Sequence, residues 1–196
     1  MWTNAPTATG IPGLAVVPGY VDVSQQEHLL GVVDALPWME DLRRRVQHYG
    51  YRYDYRSRAV TPESWLGPLP EWATELADRL AIDTSVARTP DQLIVNEYLP
   101  GQGIAAHTDC VPCFGDVVLS ISLGSVCTMV FDQPASGRTA QMLLEPGALL
   151  VLSGDARYGW RHAIPARKSD IVDGRRVKRD RRVSLTFRTV IHEKRP

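Results

Sequence analysis

The chain has 196 residues, and its 22 Lys plus Arg balance 22 Asp plus Glu to a formal net charge of zero at pH 7. This balance argues against a generic polyanion-binding protein, whose whole domain is usually strongly basic, and 44% hydrophobic residues suffice for one sizeable core. No run of about 18 apolar residues is present, which excludes a membrane-spanning helix, and the proline-interrupted start without Lys or Arg does not fit a signal peptide. We therefore expect one domain over residues 1–196 in a cytoplasmic, monomeric protein.

Two helices are predicted in the first half of the chain. The run Ser24–Glu27 has the pattern of a capping box that opens a helix, and the apolar residues after it fall on helical spacing. Pro70 begins the second helix, in which Trp72, Leu76 and Leu80 recur at every fourth position. Between the helices, residues 43–58 carry tyrosines at 49, 51, 53 and 55, and this period of two predicts a strand or hairpin with one aromatic face.

From about residue 92 the pattern changes to short strands separated by turn residues such as Pro100-Gly101 and Pro146-Gly147. The predicted strands are Leu93–Leu99, Val117–Leu123, Val126–Phe131, Gln141–Leu144, Leu149–Leu152 and Val183–Ile191. Six short strands at such spacing indicate a mainly β protein, a sandwich or barrel, with the two helices available to cover one sheet.

Three cysteines, Cys110, Cys113 and Cys127, are an odd number and too few for a disulfide framework, so we expect free thiols. Cys110 and Cys113 form a C-x-x-C motif. A zinc ribbon requires a second pair, which the chain lacks, so no structural zinc is expected.

The tripeptide His107-Thr108-Asp109 is the first motif with chemical content. On an extended chain, residues two apart project to the same side, so one imidazole and one carboxylate converge. One more histidine would complete a facial triad of two histidines and one carboxylate, which favours Fe(II) used for oxygen chemistry. Such tripeptides also arise by chance in surface loops, so the motif needs support from the rest of the chain.

The last strand supplies that context, because Arg182, Ser184, Thr186 and Arg188 alternate with apolar residues. The pattern fits either an ordinary strand with one solvated face or a strand whose polar face lines a barrel interior. In the second case the two guanidiniums could approach a dicarboxylate, since the arginine fork pairs bidentately with carboxylates. Asn96 and Tyr98 form another polar pair two residues apart, just upstream of His107.

At these residues the sequence resembles the AlkB family of Fe(II)/2-oxoglutarate-dependent dioxygenases. The matching segments, in order, are 96–109 (NEYLPGQGIAAHTD), 118–124 (VLSISLG), 150–162 (LVLSGDARYGWRH) and 182–188 (RVSLTFR). The resemblance implies a double-stranded β-helix, or jelly-roll, core over residues 92–196. It also implies N-terminal helices and a nucleotide-recognition lid over residues 1–91.

The same resemblance implies the site. His107, Asp109 and His162 would bind Fe(II), and 2-oxoglutarate and O2 would be the cosubstrates. Arg182 would pair with the distal carboxylate of 2-oxoglutarate and Arg188 would lie near the carboxylate beside the keto group. Asn96, Tyr98 and Ser184 would complete the pocket, with Ser184 standing where many members have Asn.

The resemblance further implies a nucleic-acid partner. The segment 47–55 looks most like the branch that includes the tRNA wobble-uridine hydroxylase domain of animals and its bacterial relatives. Several DNA-repair members have an acidic residue two positions after the metal-binding Asp, where this chain has Val111. Because a base inside a duplex cannot reach buried iron, the nucleotide must be flipped out or unpaired and then stacked on an aromatic ring. The candidates for binding it are Tyr51, Tyr53, Tyr55, Trp65 and Arg52.

Charge is segregated along the chain, with a net charge of +5 over residues 43–58, +8 over residues 157–188 and −13 elsewhere. Arg43, Arg44, Arg45, Arg52, Arg56 and Arg58 are candidates for phosphate contacts. The loop 167–181 is either a phosphate-contacting loop or a solvated connection.

Three functions remain open at this point. Oxidative dealkylation of damaged DNA or RNA leads, ahead of hydroxylation of a modified tRNA base. The third is a jelly-roll module that binds metal without turnover.

Overall fold

The computed structural model describes residues 7, 9–40 and 42–191. Its N-terminal half contains two strands and two α-helices: β1 (Leu14–Val17), α1 (Val23–Asp34), β2 (Val46–Tyr49) and α2 (Glu71–Thr84). Among the described residues, none of the helices is long and apolar enough to cross a membrane.

The second half is built from strands with one short helix, α3 (Gly154–Tyr158). The strands are β3 (Gln92–Tyr98), β4 (Ile104–His107), β5 (Phe114–Gly124), β6 (Cys127–Gln133), β7 (Arg138–Leu144), β8 (Leu149–Leu152), β9 (Arg161–Ile164), β10 (Ser169–Val172), β11 (Arg175–Lys178) and β12 (Arg182–Val190). All six predicted strands are therefore present, with bounds shifted by a few residues.

Two antiparallel sheets form the jelly-roll predicted above. The larger has the order β1-β8-β5-β12-β3-β2 and the smaller the order β4-β9-β6-β7, while β10 and β11 form a separate hairpin. Met129 and Phe131 of the smaller sheet pack with Val118 and Leu150 of the larger sheet in one buried cluster. The site lies between these two sheets.

The alternation of β12 decides which face of the larger sheet receives the helices. Val183, Leu185 and Phe187 are fully buried in a cluster that includes residues of α1 and α2. Arg182 and Arg188 therefore project from the opposite face, toward the smaller sheet. Of the two interpretations of this strand, the structure supports the one in which the polar face lines the barrel interior.

Helix α1 begins earlier than predicted. Asp22 is its N-cap, and the Asp22 side chain accepts from the Gln25 backbone N–H at 2.8 Å while the Gln25 side chain accepts from the Asp22 N–H at 3.1 Å. The capping box thus uses Asp22 and Gln25 in place of Ser24 and Glu27. The second helix follows Pro70 as predicted, with Leu76 and Leu80 buried.

The tyrosine-rich segment is only partly the strand that was predicted. Strand β2 ends at Tyr49, and Gly50 has a φ of +74°. A side chain at Gly50 would lie 1.9 Å from the Asp91 carbonyl oxygen, so only glycine allows the chain to leave the sheet here. Residues 51–66 then form a loop, closed by an isolated bridge between Tyr51 and Trp65.

Candidate active site

The adjacent strands β4 and β9 bring the three predicted metal ligands together. His107 and His162 are direct cross-strand partners, with ring centroids 4.4 Å apart. Asp109 follows two residues after β4 and its Oδ2 lies 3.7 Å from Nε2 of His162. One ligand atom from each side chain can be chosen so that all three lie within 4.8 Å of one another. This spacing fits one divalent ion bound on one face.

The electrostatics of the site also suit a metal. Burial would raise the pKa of Asp109, but the charge of Arg188, and in acid that of protonated His162, holds it well below its usual value, so Asp109 is an anion. Burial lowers the pKa of His162 to about 4, which keeps its imidazole neutral at pH 7. Metal ligands must be deprotonated, so both groups are ready to bind. The Nδ1 of His107 lies 2.8 Å from the Ala105 carbonyl oxygen, which favours the tautomer whose Nε2 is free for a metal.

Arg188 stands beside the metal ligands. Its Nη2 donates to Oδ1 of Asp109 at 2.7 Å and its Nη1 donates to Oε1 of Gln92 at 3.2 Å. The guanidinium thus orients the carboxylate and leaves Oδ2 toward His162.

Arg182 lies at the start of the same strand, β12, and only part of its guanidinium is hydrogen-bonded. It is 3% exposed, and its Nη2 donates to Oγ of Ser122 at 2.8 Å. Its Nε and Nη1 are buried with no hydrogen-bond partner. Because a buried cation with free donors is costly, these atoms fit a site for an anionic ligand. The distal carboxylate of 2-oxoglutarate, which the resemblance predicts at Arg182, would be such a partner.

The other predicted cosubstrate residues surround Arg182. In the pairing of β12 with β3, Arg182 is opposite Tyr98 and Ser184 is opposite Asn96. The Arg182 guanidinium lies over the Tyr98 ring, 5.4 Å from its centroid. The structure thus brings the five residues predicted to bind the cosubstrate to one wall of one cavity.

This cavity has a volume of about 370 Å³ and is lined by residues of both sheets. The loop 51–66 contributes Tyr53, Tyr55 and Arg58 to its lining. Of the predicted substrate-binding residues, only Tyr53 and Tyr55 line it. Tyr51 and Trp65 pack on each other with centroids 4.8 Å apart, and Arg52 is exposed; these three are not among the lining residues.

Arg44 is a lining residue that sequence reasoning placed elsewhere. It was predicted among the phosphate contacts, but its Nε donates to Oδ1 of Asn96 at 2.9 Å inside the cavity. Arg45 is also engaged within the protein, since it donates to both carboxylate oxygens of Glu97 at 2.6 and 2.7 Å. The arginine run of residues 43–45 gives no signal that separates these roles.

The expectation of free thiols is wrong for two of the three cysteines. Cys110 and Cys113 form a disulfide bond directly after Asp109, whereas Cys127 is free and buried. A separation of three residues allows the two Sγ atoms to meet within one turn, which a count of cysteines does not reveal.

Comparison with known proteins decides the family. The family described as the 2OG-Fe(II) oxygenase superfamily matches residues 15–188. The chain is an AlkB-type member of this superfamily. It is therefore an oxidoreductase whose cofactor is Fe(II) and whose cosubstrates are 2-oxoglutarate and O2, in agreement with the ligand set described above. The module without turnover is disfavoured.

Several relatives of this AlkB-type oxygenase are similar over most of its length. The alkylated DNA repair protein ALKBH8 homolog of Arabidopsis thaliana is 37% identical over 92% of this chain and 59% of its own. The tRNA (carboxymethyluridine(34)-5-O)-methyltransferase ALKBH8 of Mus musculus is 36% identical over 96% of this chain, which spans only 32% of that protein. An uncharacterized protein of Acanthamoeba polyphaga mimivirus is 34% identical over 95% of this chain and 89% of its own.

Among solved structures, that of OsALKBH1 matches with a TM-score of 0.68 at 18% identity, over 94% of this chain and all of the other. At this identity the match supports the fold alone.

Proposed function

We propose that this AlkB-type oxygenase oxidises a modified base in nucleic acid and that its preferred reaction is hydroxylation of a neutral tRNA base without dealkylation. The charge of the cavity carries this proposal. Besides the cosubstrate arginines, Arg44 and Arg58 line it, and among its described lining residues the one acid is Asp109, already paired with Arg188. Val111, two positions after Asp109, is apolar and 46% exposed and is not among the lining residues.

A net positive cavity disfavours cationic substrates. Methylation of adenine at N1 or cytosine at N3 gives a positively charged base, which Arg44 and Arg58 would repel. A neutral base, or one with an anionic or carbonyl-bearing substituent, meets no such penalty. The name of the mouse relative, a methyltransferase acting on carboxymethyluridine in tRNA, agrees with a substrate of this second kind.

Dealkylation of DNA or RNA remains the second candidate. Two relatives favour it by their names: the alkylated DNA repair protein of Arabidopsis thaliana, and the probable RNA/DNA demethylase ALKBH6 of Danio rerio, 27% identical over 91% of this chain.

The side chains of this protein contribute to the reaction mainly by binding and positioning the metal and the cosubstrate. His107, Asp109 and His162 would hold Fe(II), which with 2-oxoglutarate and O2 supplies the oxidation of a C–H bond. The free Nε and Nη1 of Arg182 would bind the distal carboxylate of the cosubstrate. The site lies between the two sheets, and no acid or base is needed from the protein.

The substrate base would enter from the side of the loop 51–66. Tyr53 and Tyr55 are stacked edge to face with centroids 5.1 Å apart, and Tyr53 also packs near Phe114 at 5.8 Å. These rings line the cavity and offer a face on which a flipped base can stack.

The hairpin formed by β10 and β11 is the proposed contact for the nucleic-acid backbone. Its base is held by Asp170, which is buried and paired with Arg179. Lys168, Arg175, Arg176 and Lys178 are exposed. Lys168 also approaches Gly101 in the turn that leads into β4, so the hairpin adjoins the strand that carries His107.

Defined oligonucleotides distinguish the two candidate reactions. We would incubate the protein with Fe(II), 2-oxoglutarate and single strands that carry 3-methyluridine, 3-methylcytidine or 5-methyluridine. The first two are matched methylated pyrimidines, one neutral and one cationic. We expect 5-methyluridine to gain one oxygen atom at its 5-methyl group. An N-methyl group that is hydroxylated is lost as formaldehyde, so the other two strands report dealkylation, and we expect weaker turnover of cationic 3-methylcytidine than of neutral 3-methyluridine. Efficient release of formaldehyde from 3-methylcytidine would instead establish dealkylation, and Asp109→Ala is the inactive control.

A further inference from the structure

Arg157 is a buried arginine that the proposed reaction does not use. It lies in α3 and is 1% exposed. Its guanidinium donates to four backbone carbonyls: Nη1 to Asp109 at 3.0 Å, Nη2 to Cys110 at 3.3 Å and Phe114 at 3.2 Å, and Nε to Gly115 at 3.2 Å. All four acceptors belong to the segment 109–115, which begins at the metal ligand Asp109.

These contacts join the two segments that carry metal ligands. The helix that holds Arg157 is itself anchored, because the Ala156 N–H donates to the Pro12 carbonyl at 3.0 Å and the Ser153 N–H donates to that of Gly13 at 2.9 Å. Five residues after Arg157 the chain reaches His162. Residues 157–162 therefore supply the metal ligand His162 and, through Arg157, hydrogen-bond the backbone of the metal ligand Asp109.

The choice of arginine needs a reason beyond stability. Burial of a guanidinium is costly, and none of these four hydrogen bonds of Arg157 goes to a carboxylate. An apolar side chain could fill the same space, but it could not bind four carbonyls that point inward from one loop. The planar fork of arginine can bind several acceptors at fixed angles, which a lysine ammonium cannot reproduce.

We propose that Arg157 is a positioning residue that sets the affinity of the metal site by fixing the backbone of Asp109. Arg188 orients the carboxylate of Asp109 from the side-chain end, and Arg157 holds the same residue from the main-chain end. Together they leave Oδ2 directed toward His162. Metal binding is sensitive to such supporting contacts, whose loss typically lowers affinity about ten- to a hundredfold.

The test compares Arg157→Lys with Arg179→Lys, using Mn(II) alone as the probe. Arg179 is also a buried arginine, but it binds Asp170 and the Pro165 carbonyl and contacts no metal ligand. Mn(II) affinity is measured by the electron paramagnetic resonance signal of the free ion, and thermal unfolding is measured in parallel. We expect both variants to be less stable and only Arg157→Lys to lose about ten- to a hundredfold in affinity. Equal affinities in the two folded variants would overturn the proposal.

A second variant decides the matter if Arg157→Lys does not fold. The Arg157 guanidinium lies over the ring of Tyr158 at 5.0 Å, and Tyr158 is 44% exposed, so Tyr158→Ala is tolerated more easily. Loss of this cation–π contact loosens Arg157 and lowers Mn(II) affinity about two- to fivefold. An unchanged affinity in Tyr158→Ala would then refute the positioning role. Because the readout is metal binding, failure here leaves the proposed reaction on bases untouched.

Discussion

Arg44 and Asn96 are joined by a hydrogen bond of 2.9 Å from Nε to Oδ1, which holds an arginine of the N-terminal segment inside the cavity. The same guanidinium lies 5.8 Å from the centroid of Tyr55 and 5.9 Å from that of Tyr98. A positive charge therefore stands between the cosubstrate wall and the rings proposed to bind the base. From this position Arg44 can discriminate between neutral and cationic substrates.

Substitution of Arg44 should change substrate choice more than overall rate. Arg44→Gln keeps a hydrogen-bonding group for Asn96 but removes the charge, so the penalty on cationic bases falls. We expect the ratio of kcat/KM for 3-methyluridine over 3-methylcytidine to drop about tenfold. Arg43→Gln, at an exposed neighbour, is the matched control and should leave the ratio unchanged. An unaltered ratio in Arg44→Gln would remove the electrostatic argument for a neutral substrate.

Substitution of Arg182 should weaken cosubstrate binding selectively. Arg182→Gln removes the buried donors Nε and Nη1 from the site of the distal carboxylate. Charge-assisted hydrogen bonds contribute about 1.5–3 kcal/mol each, so the KM for 2-oxoglutarate should rise at least about tenfold. Titrations of 2-oxoglutarate and, separately, of Mn(II) measure the effect. The role assigned to Arg182 fails if cosubstrate dependence is unchanged or if Mn(II) affinity falls equally.

The β10–β11 hairpin should contribute to the salt dependence of nucleic-acid binding. The logarithm of the binding constant falls linearly with the logarithm of the salt concentration, and each lost phosphate contact makes this slope shallower by about 0.7 for single strands. The double variant Arg176→Gln/Lys178→Gln should therefore bind more weakly, with a slope smaller by about 1.4. Fluorescence anisotropy with a labelled single strand measures both quantities. Arg88→Gln/Arg138→Gln removes two exposed arginines elsewhere, and an equal change in that variant would argue against a specific hairpin contact.

His48 should make the metal-free protein less stable in acid. Burial, with Arg52 and other nearby arginines, lowers its pKa to about 4. In the unfolded chain His48 binds a proton near pH 6.5, whereas in the folded chain it stays neutral down to about pH 4. The contribution of His48 to the free energy of unfolding is therefore fully present above pH 6.5 and is lost as the pH falls toward 4. We expect His48 to contribute a loss on the order of 1–3 kcal/mol, and His48→Gln should lack this contribution.

Urea denaturation at pH 7 and pH 4.5 measures the free energy of unfolding in each case. Burial also lowers the pKa of His162 to about 4, so His48→Gln should retain part of the acid sensitivity. Identical pH profiles for the two proteins would show that His48 is not buried in its neutral form.

The sequence predicts the parts of this protein that repeat or match a motif. Polar and apolar residues alternate from Arg182 to Arg188. This pattern predicts β12, because backbone geometry gives a strand a period of two residues. The resemblance to the AlkB family places His162 in the ligand set, which the H-x-D motif alone could not do. The pairing of β4 with β9 then shows why residues 55 positions apart meet.

Prediction from the sequence fails where tertiary contacts determine the path of the chain or the direction of a side chain. The alternation of tyrosines suggests one strand, but Gly50 breaks it because the chain must pass close to Asp91. Arg44 and Arg45 are adjacent and chemically identical, yet one enters the cavity and the other binds Glu97. The direction of each depends on the strand β3 beneath them, and no local pattern encodes it.

The most direct test of the account is nucleoside mass spectrometry of tRNA incubated with the protein, Fe(II) and 2-oxoglutarate, with the Asp109→Ala variant as control. The account predicts that one modified nucleoside gains a single oxygen atom, that succinate forms in equal amount, and that no formaldehyde is released. Release of formaldehyde with loss of a methyl group from a cationic base, and no oxygen gain on any retained substituent, would contradict it.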